Sequence, residues 1–193
     1  MAGMEKSLKV YPESYVVLDI ETTGFSADRD EIIELSALRI VNNKVTEEFS
    51  ELINPCCYVS SYISNLTGIT QQMLYDAPLA PEVLERFIDF VSDSMIMGHN
   101  VTFDIGFINR NMQKYFNSGF NNDYIDTLKL ARKFLPQLKS HKLGLIAQHF
   151  NFNTDGMHRG LKDCIVTNMC YQKFLQMHNE QQLKQTNALG LQI

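Results

Sequence analysis

The run VVLDIETTG, residues 16–24, constrains the fold more than any other stretch of the chain. Its apolar, β-branched beginning is typical of a buried strand, yet Asp19 and Glu21 stand where that strand ends. Residues two apart on a strand point to the same face, so both carboxylates converge on one place. Burying carboxylates is costly unless a partner compensates them, and hard divalent cations prefer carboxylate oxygens. For a D-x-E pair alone, two acids facing water are the simpler interpretation, and the rest of the chain decides between the two.

The size and composition fit one globular domain. The 193 residues are 45% hydrophobic and 20% charged, and no apolar run is long enough to span a bilayer. The first 14 residues lack the apolar stretch of a secretory signal. Four cysteines without a C-x-x-C pair argue against a zinc site and are typical of reduced thiols. We therefore expect a cytoplasmic protein with no membrane association.

The charge is distributed unevenly along the chain. The net charge of −5 disfavours binding to a polyanion. Residues 1–128 hold 8 basic and 19 acidic side chains, whereas residues 129–162 hold 7 basic side chains and 1 acidic one. This asymmetry predicts a local surface for a polyanion on an acidic body, and the alternative is a solvated, helix-rich face.

Alternating strand and helix patterns predict an α/β fold with three layers and a mixed five-stranded sheet that has helices on both faces. Strands are predicted at residues 15–20, 31–41, 45–53, 95–100 and 124–126, the second and third forming a hairpin. Helices are predicted after Thr70, from Pro81 to about Ser92, from Thr102, from Thr127 after an Asp126 cap, after a Ser140 cap, and from Leu161 to Met177. The chain accordingly divides into an N-terminal extension (1–14), a domain (15–177) and a polar tail (178–193).

Three separated segments carry acids at strand ends or helix starts. Asp19 and Glu21 form the first segment, and Asp104 lies in the first turn of the helix from Thr102. The third segment, HRGLKD, places His158 five residues before Asp163.

With these motifs the chain resembles the DEDDh 3′→5′ exonucleases, which have an RNase H-like fold. LDIETTG matches the first motif of that family, GHNVTFD the second and HRGLKD the third. LTGIT matches a segment that the family places beside the terminal nucleotide, and IDTLKLAR matches its strand-to-helix step. Within the family, the chain is most similar to the proofreading exonuclease of bacterial DNA polymerase III, either the epsilon subunit or the exonuclease domain of PolC-type polymerases.

The resemblance implies a hydrolase with two Mg²⁺ ions, for which Mn²⁺ would substitute. Two cations about 4 Å apart activate water, stabilise the transition state and assist the leaving oxygen. By family analogy, Asp19, Glu21 and Asp163 bind the ion that activates water, and Asp19 also bridges to the second ion. Asp104 acts through coordinated waters.

The same resemblance makes His158 the general base. An imidazole with a pKa near 6.5 suits proton transfer close to neutrality. A sister group of the family has tyrosine where this chain has Arg159, so histidine is the expected base. Gly160 stands where the family often has alanine, as does Val101, and this glycine is expected to loosen the loop that carries His158. His141 and His149 are predicted to be surface helix residues.

The predicted substrate-binding residues are Thr22, Thr23, Leu66, His99, Asn100 and Phe103. The threonines would present backbone N–H groups to the scissile phosphate or the 3′-hydroxyl. The leucine would wedge against the terminal base, and the phenylalanine would flank it, since stacking tolerates any base. The histidine and the asparagine would orient Asp104. For each residue an ordinary structural role remains the alternative.

The expected activity is metal-dependent hydrolysis at the 3′ end of single-stranded DNA, releasing nucleoside 5′-monophosphates, in replication proofreading or repair. One alternative is a 3′→5′ exoribonuclease of the oligoribonuclease or RNase T kind, because a few pocket atoms decide between DNA and RNA. Another is a non-catalytic polymerase-binding module, which would have lost an acid or the histidine.

The expected partners are nucleic-acid 3′ ends and, further, a DNA polymerase or a sliding clamp. QTNAL, residues 185–189, faintly resembles a clamp-docking peptide, although a disordered polar tail is the simpler interpretation. A free-standing enzyme, a polymerase subunit and a polymerase domain would share these features.

Overall fold

The computed structural model describes residues 11–188. Its strands are β1 (Tyr15–Thr22), β2 (Ile32–Val41), β3 (Lys44–Leu52), β4 (Ile96–Gly98) and β5 (Tyr124–Asp126). Its helices are α1 (Ser61–Thr67), α2 (Gln71–Tyr75), α3 (Ala80–Val91), α4 (Thr102–Phe116), α5 (Thr127–Phe134), α6 (Leu143–His149) and α7 (Gly160–Ala188).

One mixed sheet of five strands organises the molecule, in the order β3-β2-β1-β4-β5. The first three strands pair antiparallel, with β2 and β3 forming the predicted hairpin. β4 and β5 add parallel to β1. The predicted α/β fold with a mixed five-stranded sheet is confirmed.

Helices cover both faces of the sheet. Alternate residues of β1 point to opposite faces, and because both sets are apolar, each face needs a layer of helices to bury it. Val16 and Leu18 pack in one core with α3 and α4. Tyr15 and Val17 pack in the opposite core with α5, α6 and α7. Asp19 and Glu21 continue the alternation of Tyr15 and Val17 along β1. Their carboxylates therefore face the side of the sheet on which α7 lies.

Helix α1 was not expected from the sequence. The Ser60 side chain accepts a hydrogen bond from Ile63 N, and Gly68 ends the helix with a left-handed φ of 73°. These two caps stabilise a helix of only seven residues, which is too short to show a helical repeat of apolar positions.

The predicted Ser140 cap of α6 is wrong. The helix begins after Lys142, and no side chain caps it. His141 precedes the helix and is partly buried, with its Nε2–H donating to the carbonyl oxygen of Leu135 at 2.9 Å. The prediction that His141 is a surface helix residue is therefore also wrong, whereas His149 is exposed on α6 as predicted.

The last helix, α7, continues to Ala188 and not to about Met177. Most of the clamp-like peptide therefore belongs to this helix, and Leu189 lies outside the described residues. Across residues 11–188, no helix combines the length and apolar character that crossing a membrane requires.

Candidate active site

Three carboxylates meet where β1 ends beside the start of α7. One carboxylate oxygen each from Asp19, Glu21 and Asp163 lies within 4.8 Å of the other two. The alternation of β1 brings the first two to the same face, and the third stands in the first turn of α7. The cluster offers three converging oxygen donors, which is the ligand chemistry of a hard divalent cation.

The two oxygens of Asp163 have different environments. Its Oδ2 accepts a hydrogen bond from the backbone N–H of His158 at 3.1 Å. Its Oδ1 is buried and has no hydrogen-bond partner among residues 11–188. Buried polar atoms are ordinarily paired, so an unpaired oxygen in an acidic cluster fits a site for a cation.

Asp104 is the fourth acid of the cluster. It is buried in the first turn of α4, and its Oδ1 accepts a hydrogen bond from Ile20 N at 3.1 Å. This bond ties the start of α4 to β1 directly between Asp19 and Glu21. The four acids that the sequence singled out are thus brought to one place.

The electrostatics of the cluster disfavour four negative charges. Burial raises the pKa of Asp19 well above its ordinary value, and the charges of Asp104, Asp163, Glu21 and Glu34 raise it further. Burial raises the pKa of Glu21 to about 8 and that of Asp104 to about 8. The pKa of Asp163 is also raised, again mainly by burial. Cations among these oxygens would offset the repulsion.

An open groove of about 660 Å³ runs over the carboxylates. We call it the central groove, and the residues that line it include Asp19, Leu66, His99, Lys142, His158 and Asp163. The side chain of His158 is exposed here, although its backbone has a left-handed φ of 65°. An exposed imidazole beside a buried acidic cluster can exchange protons with a molecule in the groove.

In the described part of the chain His99 and Asn100 form no hydrogen bond with Asp104, so the prediction that they orient it gains no support from the structure. The Nε2–H of His99 donates to the carbonyl oxygen of His141 at 2.8 Å. The backbone N–H of Asn100 donates to Asp126 Oδ1 at 2.9 Å. Both residues instead tie the end of β4 to the segments on either side of α5. The predicted capping of α5 by Asp126 is confirmed.

The other predicted substrate-binding residues differ in accessibility. The N–H of Thr23 donates to the carbonyl oxygen of Glu31 at 2.9 Å, so it is not available to a phosphate. Thr22 is buried at the end of β1. Leu66 is exposed and lines the central groove, whereas Phe103 is half-buried and packs on a neighbouring phenylalanine with ring centroids 5.0 Å apart.

Glu34 is a buried acid that the sequence reasoning did not single out. It lies opposite Glu21 in the β1–β2 register. Its Oε1 accepts from Arg159 Nη2 at 2.9 Å, and its Oε2 accepts from Gly160 N at 2.9 Å. Because both oxygens are engaged, Glu34 anchors the start of α7 and is not one of the converging donors. Its signal was a glutamate among the mostly apolar residues of a predicted buried strand.

The geometry agrees with the family to which the sequence points. A family model described as an exonuclease, RNase_T, matches residues 16–171. The chain belongs to this exonuclease family. The resemblance to the DEDDh exonucleases and to the polymerase III proofreading enzymes is thereby confirmed, as is the prediction of a 3′→5′ exonuclease.

The sequence relatives are replication proteins. The DNA polymerase III subunit epsilon of Aquifex aeolicus (strain VF5) is 42% identical over 180 residues, which cover 91% of this chain and 89% of that protein. The PolC-type DNA polymerase III of Clostridium perfringens is 38% identical over 165 residues, covering 86% of this chain but 11% of the polymerase. The chain thus spans nearly the whole of the epsilon subunit and a small part of the PolC-type polymerases.

Solved structures share the fold at low identity. The zinc-bound complex of E. coli exonuclease I with single-stranded DNA has a TM-score of 0.74 at 17% identity, covering 91% of this chain and 43% of that one. Exonuclease X in complex with 5′-overhanging duplex DNA has a TM-score of 0.66 at 22% identity, covering 84% and 91%. These likenesses concern the fold, and they agree with the RNase H-like arrangement predicted from the sequence.

Proposed function

We propose that this exonuclease removes nucleotides from the 3′ end of single-stranded DNA and releases nucleoside 5′-monophosphates during replication proofreading. The observation that carries the proposal is the convergence of Asp19, Glu21 and Asp163 beneath an open groove, with His158 exposed beside them. The similarity to the epsilon subunit supports the proofreading role and an association with a DNA polymerase in the bacterial cytoplasm.

Two divalent cations, Mg²⁺ or a substituting Mn²⁺, complete the site in this proposal. Asp19, Glu21 and Asp163 would hold one ion, and Asp19 with Asp104 would hold the other. The unpaired Oδ1 of Asp163 and the raised pKa values of the cluster support this assignment. When bound, the ions supply the positive charge that stabilises the phosphoryl transition state.

The residues of the chain supply proton transfer and orientation. His158 takes a proton from the attacking water, whose oxygen forms a new bond to phosphorus while the bond to the 3′-oxygen of the preceding nucleotide breaks. The released 3′-oxygen takes a proton from solvent. Leu66, which lines the groove, supports the terminal base, and His99 holds another part of the lining through its bond to the His141 carbonyl oxygen.

The experiment that tests this function compares matched DNA and RNA oligomers labelled at the 5′ end. With Mg²⁺ we expect a ladder of progressively shorter DNA and release of deoxynucleoside 5′-monophosphates, and with EDTA we expect intact substrate. Faster loss of the RNA would replace the DNA assignment with exoribonuclease activity. Intact oligomers of both kinds in Mg²⁺ and in Mn²⁺ would leave only a binding role.

A further inference from the structure

A second groove of about 580 Å³ lies beside α5, outside the acidic cluster. We call it the basic groove, and Asn100, Leu128, Arg132 and residues 139–142, with His99, line it. Its lining includes one arginine and two lysines, and none of its described lining residues is acidic. The chain has a net charge of −5, so a groove lined by cations differs in sign from the charge of the molecule.

The cations of this groove have no acidic partner in the described part of the chain. Arg132, Lys139 and Lys142 are exposed and form no salt bridge with any residue in the described part of the chain. Elsewhere arginines pair with glutamates, as in Arg39–Glu47, Arg86–Glu51, Arg110–Glu31 and Arg159–Glu34. Leaving three cations unpaired in one concavity keeps them available to an anion.

Asp126 contacts two lining residues of the groove but does not line it. Asp126 is buried, and its Oδ1 accepts hydrogen bonds from the backbone N–H groups of Asn100 and Leu128, both at 2.9 Å. Its buried carboxylate therefore joins the end of β4 to the start of α5.

The basic groove continues into the central groove. His99 and Lys142 line both concavities. The Nε2–H of His99 holds the His141 carbonyl oxygen at 2.8 Å, and the Nε2–H of His141 holds that of Leu135 at 2.9 Å. These bonds fix the segment that carries Lys139 and Lys142, so the cationic side chains are presented from a supported backbone.

We propose that the basic groove binds the backbone phosphates of the strand that lie 5′ of the terminal nucleotide. This inference rests on the proposed function, because it assumes that the 3′ end of a DNA strand occupies the central groove. It adds the path that the rest of that strand follows across the protein surface. Phosphates are the anions that such a strand presents at regular intervals, and unpaired lysine and arginine side chains bind them without reading sequence. The groove then determines affinity for a longer strand, while the carboxylates act on its last nucleotide.

The test is the binding of fluorescein-labelled dT12 and dT3 in EDTA, measured by anisotropy over a range of salt concentrations. We expect the double variant Arg132→Gln/Lys139→Gln to bind dT12 at least tenfold more weakly than the parent and dT3 less than twofold more weakly. The slope of log affinity against log salt for dT12 should fall by about 1.4, at about 0.7 for each lost phosphate contact. The matched control Lys44→Gln/Lys184→Gln removes two exposed cations outside both grooves and should change neither value.

Equal affinity and equal salt slope in the parent and the Arg132/Lys139 variant would overturn the proposal. An equal loss for dT3 and dT12 would overturn it too, since the groove would then serve the terminal nucleotide. Because binding is measured without metal, these outcomes stand apart from a failure of the proposed function, which appears as absence of cleavage by the parent.

Discussion

His158 combines an exposed imidazole with a constrained backbone. Its left-handed φ of 65° is unfavourable for a residue with a side chain, at a cost of about 1–3 kcal/mol for a strained position. The hydrogen bond from its N–H to Asp163 Oδ2 holds that conformation. The spacing of five residues in HRGLKD therefore has a structural meaning, because it lets the acid fix the backbone of the histidine.

Replacing His158 with alanine should lower cleavage of single-stranded DNA by about a hundredfold or more near neutral pH, since proton transfer is lost. The side chain is exposed, so the unfolding midpoint should stay close to that of the parent. His149→Ala, at the exposed end of α6, is the matched control and should retain full activity. The measurement is initial rate against pH, and an unchanged rate and profile for His158→Ala would show that His158 is not the base.

At this scale the sequence predicted the site from strand alternation together with the family resemblance. Strand alternation predicts the convergence of Asp19 and Glu21, whereas Asp104, Asp163 and His158 are added to the site by the resemblance of their motifs to the DEDDh exonucleases. Glu34 could not be assigned a role in this way because its partner Arg159 lies 125 residues away. The backbone N–H of Thr23 was assigned to substrate for a similar reason, since its bond to Glu31 depends on a turn that the pattern does not show.

The start of α7 lies unusually close to β2. A Cβ added at Gly160 would lie 2.7 Å from the Ser36 Oγ and 2.8 Å from the Ser36 Cβ. Gly160 is buried as the first residue of α7. The expectation that this glycine loosens the loop is therefore wrong, because its missing side chain permits close packing.

Gly160→Ala should destabilise the protein by about 1–3 kcal/mol, the usual cost of overpacking a core, even though alanine favours helices. Ser36→Gly removes the side chain that would clash, so the double variant should regain much of that loss. Urea unfolding of the parent, both single variants and the double variant measures the coupling. A Gly160→Ala protein as stable as the parent would mean that α7 is free to shift away from β2.

Among the elements, those with strong periodicity were predicted and those without it were not. Buried strands and the amphipathic α3 and α4 show their pattern within the segment itself. Helix α1 depends on its caps, and the last part of α7 is polar on all sides, so neither has an apolar stripe to reveal it.

For the whole molecule, the acidic cluster makes stability depend on pH. The folded-state pKa values of Glu21 and Asp104, both about 8, lie above the ordinary values of 4.5 and 3.8. Between these limits the folded protein binds more protons than the unfolded chain, so the free energy of unfolding falls as pH rises. Cations that bind the ionised cluster oppose this trend.

The metal-free protein should accordingly melt at a lower temperature at pH 9 than at pH 5. Adding Mg²⁺ or Mn²⁺ should raise the melting temperature more at pH 9 than at pH 5, because ionised carboxylates bind the cation. Asp19→Asn should raise the metal-free melting temperature at pH 9 and abolish cleavage. Calorimetry in EDTA and in Mg²⁺ measures each value, and a metal-free stability that rises with pH would contradict the account.

The uneven charge along the chain predicted a polyanion surface but not its location. Of the basic residues in 129–162, Arg159 pairs with Glu34, whereas Arg132, Lys139 and Lys142 line the basic groove. Net charge cannot separate a cation that anchors a buried acid from one left to face solvent, because that distinction depends on the packing of β2 against α7.

One carboxylate, that of Asp163, has a divided task. One oxygen holds the backbone of His158, and the other is unpaired within the acidic cluster. In the proposed mechanism, a cation bound by the second oxygen would be joined through one rigid carboxyl group to the peptide that the first oxygen holds. Asp163 thus links the geometry of the acidic cluster to that of the loop carrying His158, so a shift of this one side chain would displace both a ligand oxygen and the proposed base.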